Sequence, residues 1–290
     1  MRWTTIIGCV AAIMAWAAPA AAQSPPPFAT TRVTDDVYIF RYGGHQSMFV
    51  VGKKAVLATD PISYLRPQAA GTYIEEIRKV SKAPIKYLVY SHHHYDHIAG
   101  GKPFKDAGAK VIAHKNAKAR LAALKYPAVV PVDETVDAKR VIDLGGIKVE
   151  LHYVGRNHSD NSLVMLVPKH KVLFTVDFVP IGTVQFRDMP DGYLPDWFGS
   201  LDRVLALDWE KMIPGHPYAG GRLGTKQDVR ELKQYMTDLS AAVKVAAEQG
   251  KCFDAAMKEV TLPKYEKWGN YQAFLPGNVE RFCEFWGRGY

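Results

Sequence analysis

The sequence predicts an α/β fold followed by a helical extension, and three features support this prediction. Short apolar segments rich in β-branched residues alternate with segments of helical periodicity over most of the chain. Residues of metal-binding type directly follow several of these apolar segments, as functional groups do at the strand ends of α/β proteins. From Thr225 onward the pattern becomes that of a long amphipathic helix. We therefore expect one large α/β core with helices after it.

The predicted elements can be followed in order along the chain. A helix after the first strands is indicated by Tyr73, Ile74, Ile77 and Val80, which recur at helical spacing. Thr225 and Asp228 can cap the long C-terminal helix, and Gly250 can end it. The remaining predicted elements are strands at 37–42, 48–59 (with a turn at 52–54), 85–90, 147–154 and 171–176, helices at 116–124 and 200–207, and a short apolar run at 212–214.

The first residues are typical of a secretory signal. Arg2 supplies a positive charge, residues 6–18 form an apolar stretch, and three alanines at 20–22 offer a cleavage site before Gln23. This stretch is too short to cross a bilayer, which takes about 20 residues. We therefore divide the chain into a signal peptide at 1–22, a linker at 23–32, a core at 33–224 and a helical segment at 225–290 that packs on the same domain. The expected destination is the periplasm, with full secretion as the alternative and no integral membrane segment after cleavage.

The composition narrows the range of partners. The chain carries 37 basic and 29 acidic residues, a formal charge of +8, but the basic residues are scattered. The scattered basic residues and the expected periplasmic location argue against nucleic acid as a partner and favour a small-molecule substrate. Cys252 and Cys283, the cysteines left after processing, could form a disulfide in an oxidising compartment, although two free thiols are also consistent with the sequence. The oligomeric state stays open.

The most informative segment is residues 91–97, which holds four histidines and one aspartate after the strand at 85–90. Alternate side chains of an extended segment share a face, so His92 and His94 can point to one place. Asp96 and His97, on the turn that follows, can reach a neighbouring place. His93 has the wrong parity, and packing is the more natural role for it. Neutral imidazole and carboxylate suit zinc, at about 2.0–2.1 Å from nitrogen, so we expect a metal site here and a second one beside it.

Three further candidate ligands each follow an apolar strand. His158 comes after the strand at 147–154, Asp177 ends the strand at 171–176, and His216 follows the run at 212–214. With the histidine segment, these residues resemble the ligand pattern of the metallo-β-lactamase superfamily of dinuclear hydrolases. Asp60, after the strand at 48–59, matches the upstream aspartate of that family. The resemblance extends from about residue 33 to about residue 220.

The resemblance implies an αββα sandwich with two zinc ions at one edge and assigns a role to each residue. It places His92, His94 and His158 on the first ion, and Asp96, His97 and His216 on the second. Asp177 would bridge both ions, which then lie about 3.5–4 Å apart and share a hydroxide nucleophile. Asp96 is also expected to be catalytic, so its replacement by alanine should abolish turnover. Asp60 would brace the histidine segment by accepting hydrogen bonds, and an ordinary Asp-Pro turn with Pro61 is the less favoured alternative.

The bridging position favours one group of family members. Zinc β-lactamases typically carry cysteine or serine there, whereas aspartate resembles the glyoxalase-like and lactonase-like branch. We therefore expect a periplasmic dinuclear zinc hydrolase that acts on an ester, lactone, thioester or amide. The alternatives are a zinc β-lactamase and an iron-dependent oxidative enzyme of the same fold, with iron as the second choice of metal.

Substrate selectivity is expected from loops over the metals. The segment 186–198 is aromatic and proline-rich, as in the wall of an apolar site, although plain packing explains it equally well. Its candidate substrate contacts are Phe186, Arg187, Tyr193 and Trp197, and Arg187 could pair with a substrate carboxylate. His45, in the hairpin after the first predicted strand, is a further candidate substrate contact.

Overall fold

Two mixed β-sheets pack face to face, and helices cover the outer face of each. The computed structural model describes residues 27–289, so the predicted signal peptide and the start of the linker lie outside the described residues. The first sheet has seven strands in the order β1-β2-β3-β4-β5-β6-β7, and the second has five in the order β12-β11-β10-β9-β8. This arrangement confirms the predicted αββα sandwich with a C-terminal helical extension.

The strands are short, and several in the middle of each sheet are buried over most of their length. In the first sheet they are β1 (Phe28–Arg32), β2 (Val37–Tyr42), β3 (His45–Val51), β4 (Val56–Thr59), β5 (Ile85–Val89), β6 (Lys110–His114) and β7 (Glu134–Val136). In the second they are β8 (Lys139–Asp143), β9 (Lys148–Tyr153), β10 (Leu163–Val167), β11 (Val172–Val176) and β12 (Lys211–Pro214). The pairs from β4 to β7 and the pair β11–β12 are parallel, which places the carboxyl ends of these strands at a common edge.

Eight α-helices complete the described part of the chain. They are α1 (Ala69–Val80), α2 (Tyr95–Ile98), α3 (Lys102–Asp106), α4 (Lys115–Leu124), α5 (Leu194–Ala206), α6 (Lys226–Glu248), α7 (Asp254–Glu259) and α8 (Tyr271–Arg288). Helices α1, α3 and α4 pack on the first sheet, and α5, α6 and α8 pack on the second. The two sheets enclose a third apolar core between them, to which both contribute. No helix among residues 27–289 is both long and apolar enough to span a bilayer.

The C-terminal extension is fixed by two local devices. Thr225 and Asp228 form the expected capping box at the start of α6, and Arg222 pairs with the same Asp228 carboxylate. Cys252 and Cys283 form a disulfide with Cα atoms 5.6 Å apart, which ties the segment before α7 to α8. The apolar stripe of α6 packs in the core as expected, with Leu232 and Leu239 fully buried.

The predicted boundaries of the linker and of helix α5 were wrong. The linker was expected to reach residue 32, but residues 28–32 form β1, because they pair antiparallel with β2 and bring Phe28 onto Tyr42. Helix α5 was expected from residue 200 but begins at Leu194, since Pro195 lies in the first turn, where a missing N–H costs nothing. The last five residues of the aromatic segment 186–198 are therefore helical.

Candidate metal centre

The predicted ligands meet at one edge of the sandwich, where several strands end. The segment 91–97 follows β5, His158 follows β9, Asp177 follows β11 and His216 follows β12. Strands β5 and β11 belong to different sheets, so the site lies where the two sheets meet. The fold thus gathers residues that are far apart in the sequence.

The first group contains three imidazoles and one carboxylate. The ligand-type atoms of His92, His94, His158 and Asp177 all lie within 4.8 Å of one another. Nε2 of His158 is 3.0 Å from Nδ1 of His94, and it is 3.7 Å from Oδ2 of Asp177. Nε2 of His92 is also 3.7 Å from that oxygen. These separations allow one cation to contact all four side chains.

The second group lies on the other side of the same carboxylate. It contains His45, Asp96, His97 and His216, again with ligand-type atoms within 4.8 Å. Nε2 of His97 is 2.9 Å from Oδ2 of Asp177, and Nε2 of His216 is 3.4 Å from Oδ1. Asp177 therefore faces both groups at once. The structure brings together all seven predicted ligands, and it adds His45 to them.

The buried polar atoms of this centre fit a metal ion. Nε2 of His92, Nε2 of His97 and Oδ1 of Asp177 are buried without a hydrogen-bond partner among the described residues. Such atoms are costly to bury unless something charged satisfies them. A cation bound between the groups would do so, and imidazole with carboxylate is a donor set that suits zinc or iron.

The electrostatics lead to the same conclusion. Burial lowers the pKa of His158 to about 3, so this imidazole is held in the neutral form that binds metals. Burial would lower the pKa of His97 too, but Asp177 and Asp96 outweigh it and raise that pKa well above its usual value. Two carboxylates therefore favour a positive charge at this point, and either a proton or a metal ion could supply it.

The backbone around Asp177 is unusual and sets its position. Val176 has a φ of 57°, which is rare for a β-branched residue and marks local strain. Across from it, Gly215 leaves no room for a side chain. A Cβ atom at Gly215 would lie 2.4 Å from Oδ1 of Asp177 and 3.0 Å from Cε1 of His97. A glycine is thus required for the close approach of β12 to the shared carboxylate.

Asp60 lies beneath the histidine segment, fully buried. Its Oδ1 accepts a hydrogen bond of 2.8 Å from the backbone N–H of Ser91, and its Oδ2 is 3.6 Å from Nδ1 of His97. The hydroxyl of Ser47 donates to the Asp60 backbone carbonyl at 2.6 Å. These contacts place Asp60 where it can orient the segment and His97.

A second supporting carboxylate, Asp191, was missed by the sequence analysis. Its Oδ2 is 3.1 Å from Nε2 of His93 and 3.3 Å from Nε2 of His94. A proton on Nε2 of His94 leaves Nδ1 free as a metal ligand, which is the role of such carboxylates beside metal-bound histidines. Nδ1 of His93 is also hydrogen-bonded, to the Asn161 side chain at 2.9 Å, so His93 is a buried polar support. No motif links residue 191 to the histidines, because only the fold brings them together.

A cleft of about 500 Å³ opens over the two groups. Of the predicted substrate residues, His45, Phe186 and Trp197 line it. Phe186 stands at the mouth and is 46% exposed, whereas Trp197 is fully buried, its ring edge against His158 and its N–H bonded to the Phe178 carbonyl. Phe186 and Leu65, which is 84% exposed, give the cleft an apolar mouth.

Arg187 and Tyr193 are not among the residues that line the cleft, contrary to expectation. The guanidinium of Arg187 instead lies over the ring of Phe186, 5.3 Å from its centroid. Tyr193 immediately precedes α5, and its ring is covered by Arg156 at 4.8 Å. Phe186, Met189, Pro190 and Trp197 of this segment line the cleft, but its aromatic composition could not show which side chains turn inward.

The loop after β4 supplies cleft residues that sequence reasoning missed. Tyr64, Leu65 and Arg66 line the cleft, and Arg66 donates to the Asp96 backbone carbonyl at 2.9 Å. Burial lowers the pKa of Arg66 from its usual value. Leu65 has a φ of 56°, so this loop has a strained conformation beside the site. The Asp60-Pro61 turn was the available signal, since loops at this edge of an α/β sheet carry function.

Helix α8 supports the part of the cleft wall formed by residues 185–187. The side-chain N–H₂ of Asn278 donates to the backbone carbonyls of Gln185, at 3.0 Å, and of Arg187. Gly277 touches the same segment, since a Cβ atom there would lie 2.8 Å from the Arg187 carbonyl carbon. The position of Phe186 is therefore set by a helix far along the chain.

Comparisons with known proteins agree with this geometry. The family model described as the metallo-β-lactamase superfamily matches residues 47–216, more than half of the chain. Among solved structures, a metallo-β-lactamase from Pontibacter korlensis has a TM-score of 0.63 at 19% identity, covering 73% of this chain and 99% of that one. The DIM-1 metallo-β-lactamase has a TM-score of 0.62 at 20% identity, covering 73% and 98%. These two likenesses concern the fold alone.

Curated relatives are also distant. The 2,4-dinitroanisole O-demethylase subunit alpha of a Nocardioides species is 25% identical over 193 residues, 66% of this chain and 58% of that protein. The metallo-β-lactamase type 2 of Bacillus cereus is 27% identical over 152 residues, 51% of this chain and 58% of that protein. The matches thus span well under two thirds of these relatives.

Proposed function

The chain belongs to the metallo-β-lactamase superfamily, and on that basis we propose that it is a periplasmic hydrolase that uses two zinc ions to cleave an ester, lactone, thioester or amide. The fold and the clusters of histidine and aspartate support metal-dependent activity. The observation that carries the proposal further is the position of Asp177. One carboxylate lies within 3.7 Å of imidazole nitrogens from both groups, as a ligand shared by two cations requires.

Each group would hold one ion with the residues described above. His92, His94 and His158 would hold the first, and Asp96, His97 and His216 the second. When bound, the two metal ions would lower the pKa of a water molecule shared between them and supply a hydroxide nucleophile near neutral pH. Asp60 and Asp191 would orient imidazoles of the histidine segment, and Asp177 would fix the spacing of the two groups.

The cleft indicates the kind of substrate. Apart from the candidate metal ligands, its wall is mainly apolar, with groups such as Phe186, Leu65 and Met189, as in sites for small molecules that are mostly apolar. Arg66 is the one arginine or lysine among the lining residues. Its Nε and Nη2 donate to the backbone carbonyls of Ile62 and Asp96, and the remaining Nη1 could hold a carbonyl or carboxylate oxygen of the substrate. A volume of about 500 Å³ fits a small molecule rather than a nucleic acid.

Zinc is proposed over iron because the periplasmic location proposed from residues 1–22 favours an ion without redox chemistry, and zinc accepts imidazole and carboxylate donors in four- or five-coordinate sites. Iron accepts the same donors, so metal identity must be measured. Protein produced with zinc and iron both available, and then analysed for metal content, gives that answer directly. An iron-loaded protein that consumes oxygen during turnover would contradict the hydrolase.

The central test is a rate panel on the zinc-loaded mature protein. A chromogenic β-lactam, lactones, aryl esters and a glutathione thioester are compared at equal concentration. We expect one carbonyl class to reach a kcat/KM of about 10⁴ M⁻¹s⁻¹ or more, and Asp177→Ala to abolish it while the protein stays folded. A folded Asp177→Ala variant with unchanged rates would refute the shared carboxylate. A fast β-lactam reaction would instead establish the β-lactamase alternative.

Cleavage of an activated aryl ether is a second candidate. The relative named as a 2,4-dinitroanisole O-demethylase subunit supports it, as does the aromatic character of the cleft, with Phe186, Trp197, Tyr64 and Tyr218. Water would replace methoxide on the nitro-substituted ring, giving a phenol and methanol. Adding 2,4-dinitroanisole to the panel tests this, since the released nitrophenolate is coloured. Methanol without oxygen consumption would favour hydrolysis, and formaldehyde with oxygen consumption would favour oxidation.

A further inference from the structure

His45 is the imidazole that the predicted ligand set leaves out. It is the first residue of β3, directly after the turn that joins β2 to β3, and its side chain is 14% exposed. Its Nε2 is 3.0 Å from Oδ2 of Asp96. It also lies two residues before the segment matched by the family model, which begins at residue 47. Neither the motif nor the family match therefore gives it a role.

The three imidazoles of the second group are arranged like those of the first. In the first group, the ring centroids of His92, His94 and His158 are 4.5, 4.7 and 5.3 Å apart. In the second group, the centroids of His45, His97 and His216 are 4.4, 5.2 and 5.4 Å apart. Without His45 the second group would have only two imidazoles. With it, each group is a triangle of three rings beside the shared Asp177.

We infer that His45 is a ligand of the second metal ion, which is then held by His45, His97, His216 and Asp96 together with the shared Asp177. This inference rests on the proposed two-metal site. The second ion would have three imidazole ligands, as the first does, plus a carboxylate of its own.

The contacts of Asp96 support ligation over a simple hydrogen bond. A single oxygen, Oδ2, faces all three imidazoles, at 3.0 Å from His45, 3.4 Å from His97 and 3.9 Å from His216. The 3.0 Å separation also matches that between Nε2 of His158 and Nδ1 of His94, two ligands of the first ion. If His45 only donated to Asp96, its ring would have no reason to point with the other two rings toward a common centre.

The consequence is a second site with more nitrogen donors than the motif alone predicts. Each added imidazole strengthens binding of zinc and of other first-row metals relative to magnesium or calcium. The second ion should therefore bind tightly enough to remain in the purified protein. The ligand comes from the first sheet's hairpin, so metal binding would also fasten β3 to the strand ends of the second sheet.

The test counts coordinated imidazoles in the Co²⁺-loaded full-length protein. Each metal-bound imidazole retains one N–H, which gives a solvent-exchangeable, strongly shifted proton NMR signal near Co²⁺. We expect six such signals, five in His45→Gln, and six in the control His170→Gln, since His170 pairs with Asp36 away from the site. Glutamine can still donate a hydrogen bond to Asp96 but is a poor ligand, so this variant separates the two roles.

Metal affinity gives an independent measure. Competition with a chelator should show the second ion binding at least about tenfold more weakly in both His45→Gln and His45→Ala, and the first ion nearly unchanged. Five signals in the wild type, or second-ion affinity retained in His45→Gln, would overturn the assignment while leaving the two-metal site intact. A wild type that binds a single ion would refute the proposed dinuclear function itself, and the inference with it.

Discussion

Gly215→Ala should displace the shared carboxylate with a single methyl group. The added Cβ would lie 2.4 Å from Oδ1 of Asp177, about 1 Å short of ordinary van der Waals contact. It would also lie 3.0 Å from Cε1 of His97, so Asp177 cannot relieve the clash by moving toward His97. Asp177 must move by roughly that distance, and a misplacement of about 1 Å in a catalytic site can cost about 100-fold in rate. We expect a comparable loss in kcat/KM and weaker binding of one metal ion.

The assay pairs metal content with kinetics in a matched set. Gly71→Ala is the control, because Gly71 lies in α1 with nothing within 4 Å of its added Cβ. That substitution should leave rates unchanged and stabilise the helix by up to about 1 kcal/mol. Both variants are checked for folding by circular dichroism and thermal melting. A folded Gly215→Ala protein with two bound ions and the wild-type rate would show that the shared carboxylate tolerates displacement, and the reasoning would fail.

Three further outcomes are expected. Asp191→Asn should weaken metal binding about 10- to 100-fold by removing the carboxylate behind His94, measured by chelator competition; unchanged affinity would remove Asp191 from the centre. Replacing Cys252 and Cys283 by serine should lower the free energy of unfolding by about 3–4 kcal/mol in urea titrations, since the bridge closes a separation of 31 residues. Burial raises the pKa of Asp228, but hydrogen bonds from its partners outweigh this and lower it, so its contribution is present above about pH 4 and is lost as the pH falls through the lowered pKa. Asp228→Asn should therefore cost about 1–2 kcal/mol at pH 7 and progressively less in acid, and an equal cost at pH 3 would contradict this.

The candidate metal ligands could be predicted from the sequence because their chemistry is local. A histidine or aspartate directly after an apolar strand can be recognised in the amino-acid sequence, and the carboxyl ends of strands in α/β folds lie close together. The capping box of α6 was equally legible, because Thr225 and Asp228 are three residues apart. For such features the fold only has to bring together groups whose identity already indicates their purpose.

Other parts depended on contacts that no local pattern records. Strand β1 exists because β2 offers it a partner, although residues 28–32 have no strong alternation. Asp191 and Arg187 are both polar residues of one loop, yet the first turns toward His94 and the second over Phe186. His45 was predicted as a substrate contact and not as a ligand, because its closeness to Asp96 spans 51 positions of the chain. Side-chain direction in loops is decided by tertiary packing, which a single sequence does not display.

The support of Phe186 by α8 separates two features of the site along the chain. The candidate metal ligands lie within residues 45–216, whereas the position of one cleft wall depends on residues near 278. Substitutions around Asn278 could thus retune substrate preference while leaving the metal centre untouched. Mutational libraries for substrate preference should therefore be directed to the C-terminal helix. Comparisons of relatives that are confined to the α/β core would overlook this determinant of selectivity.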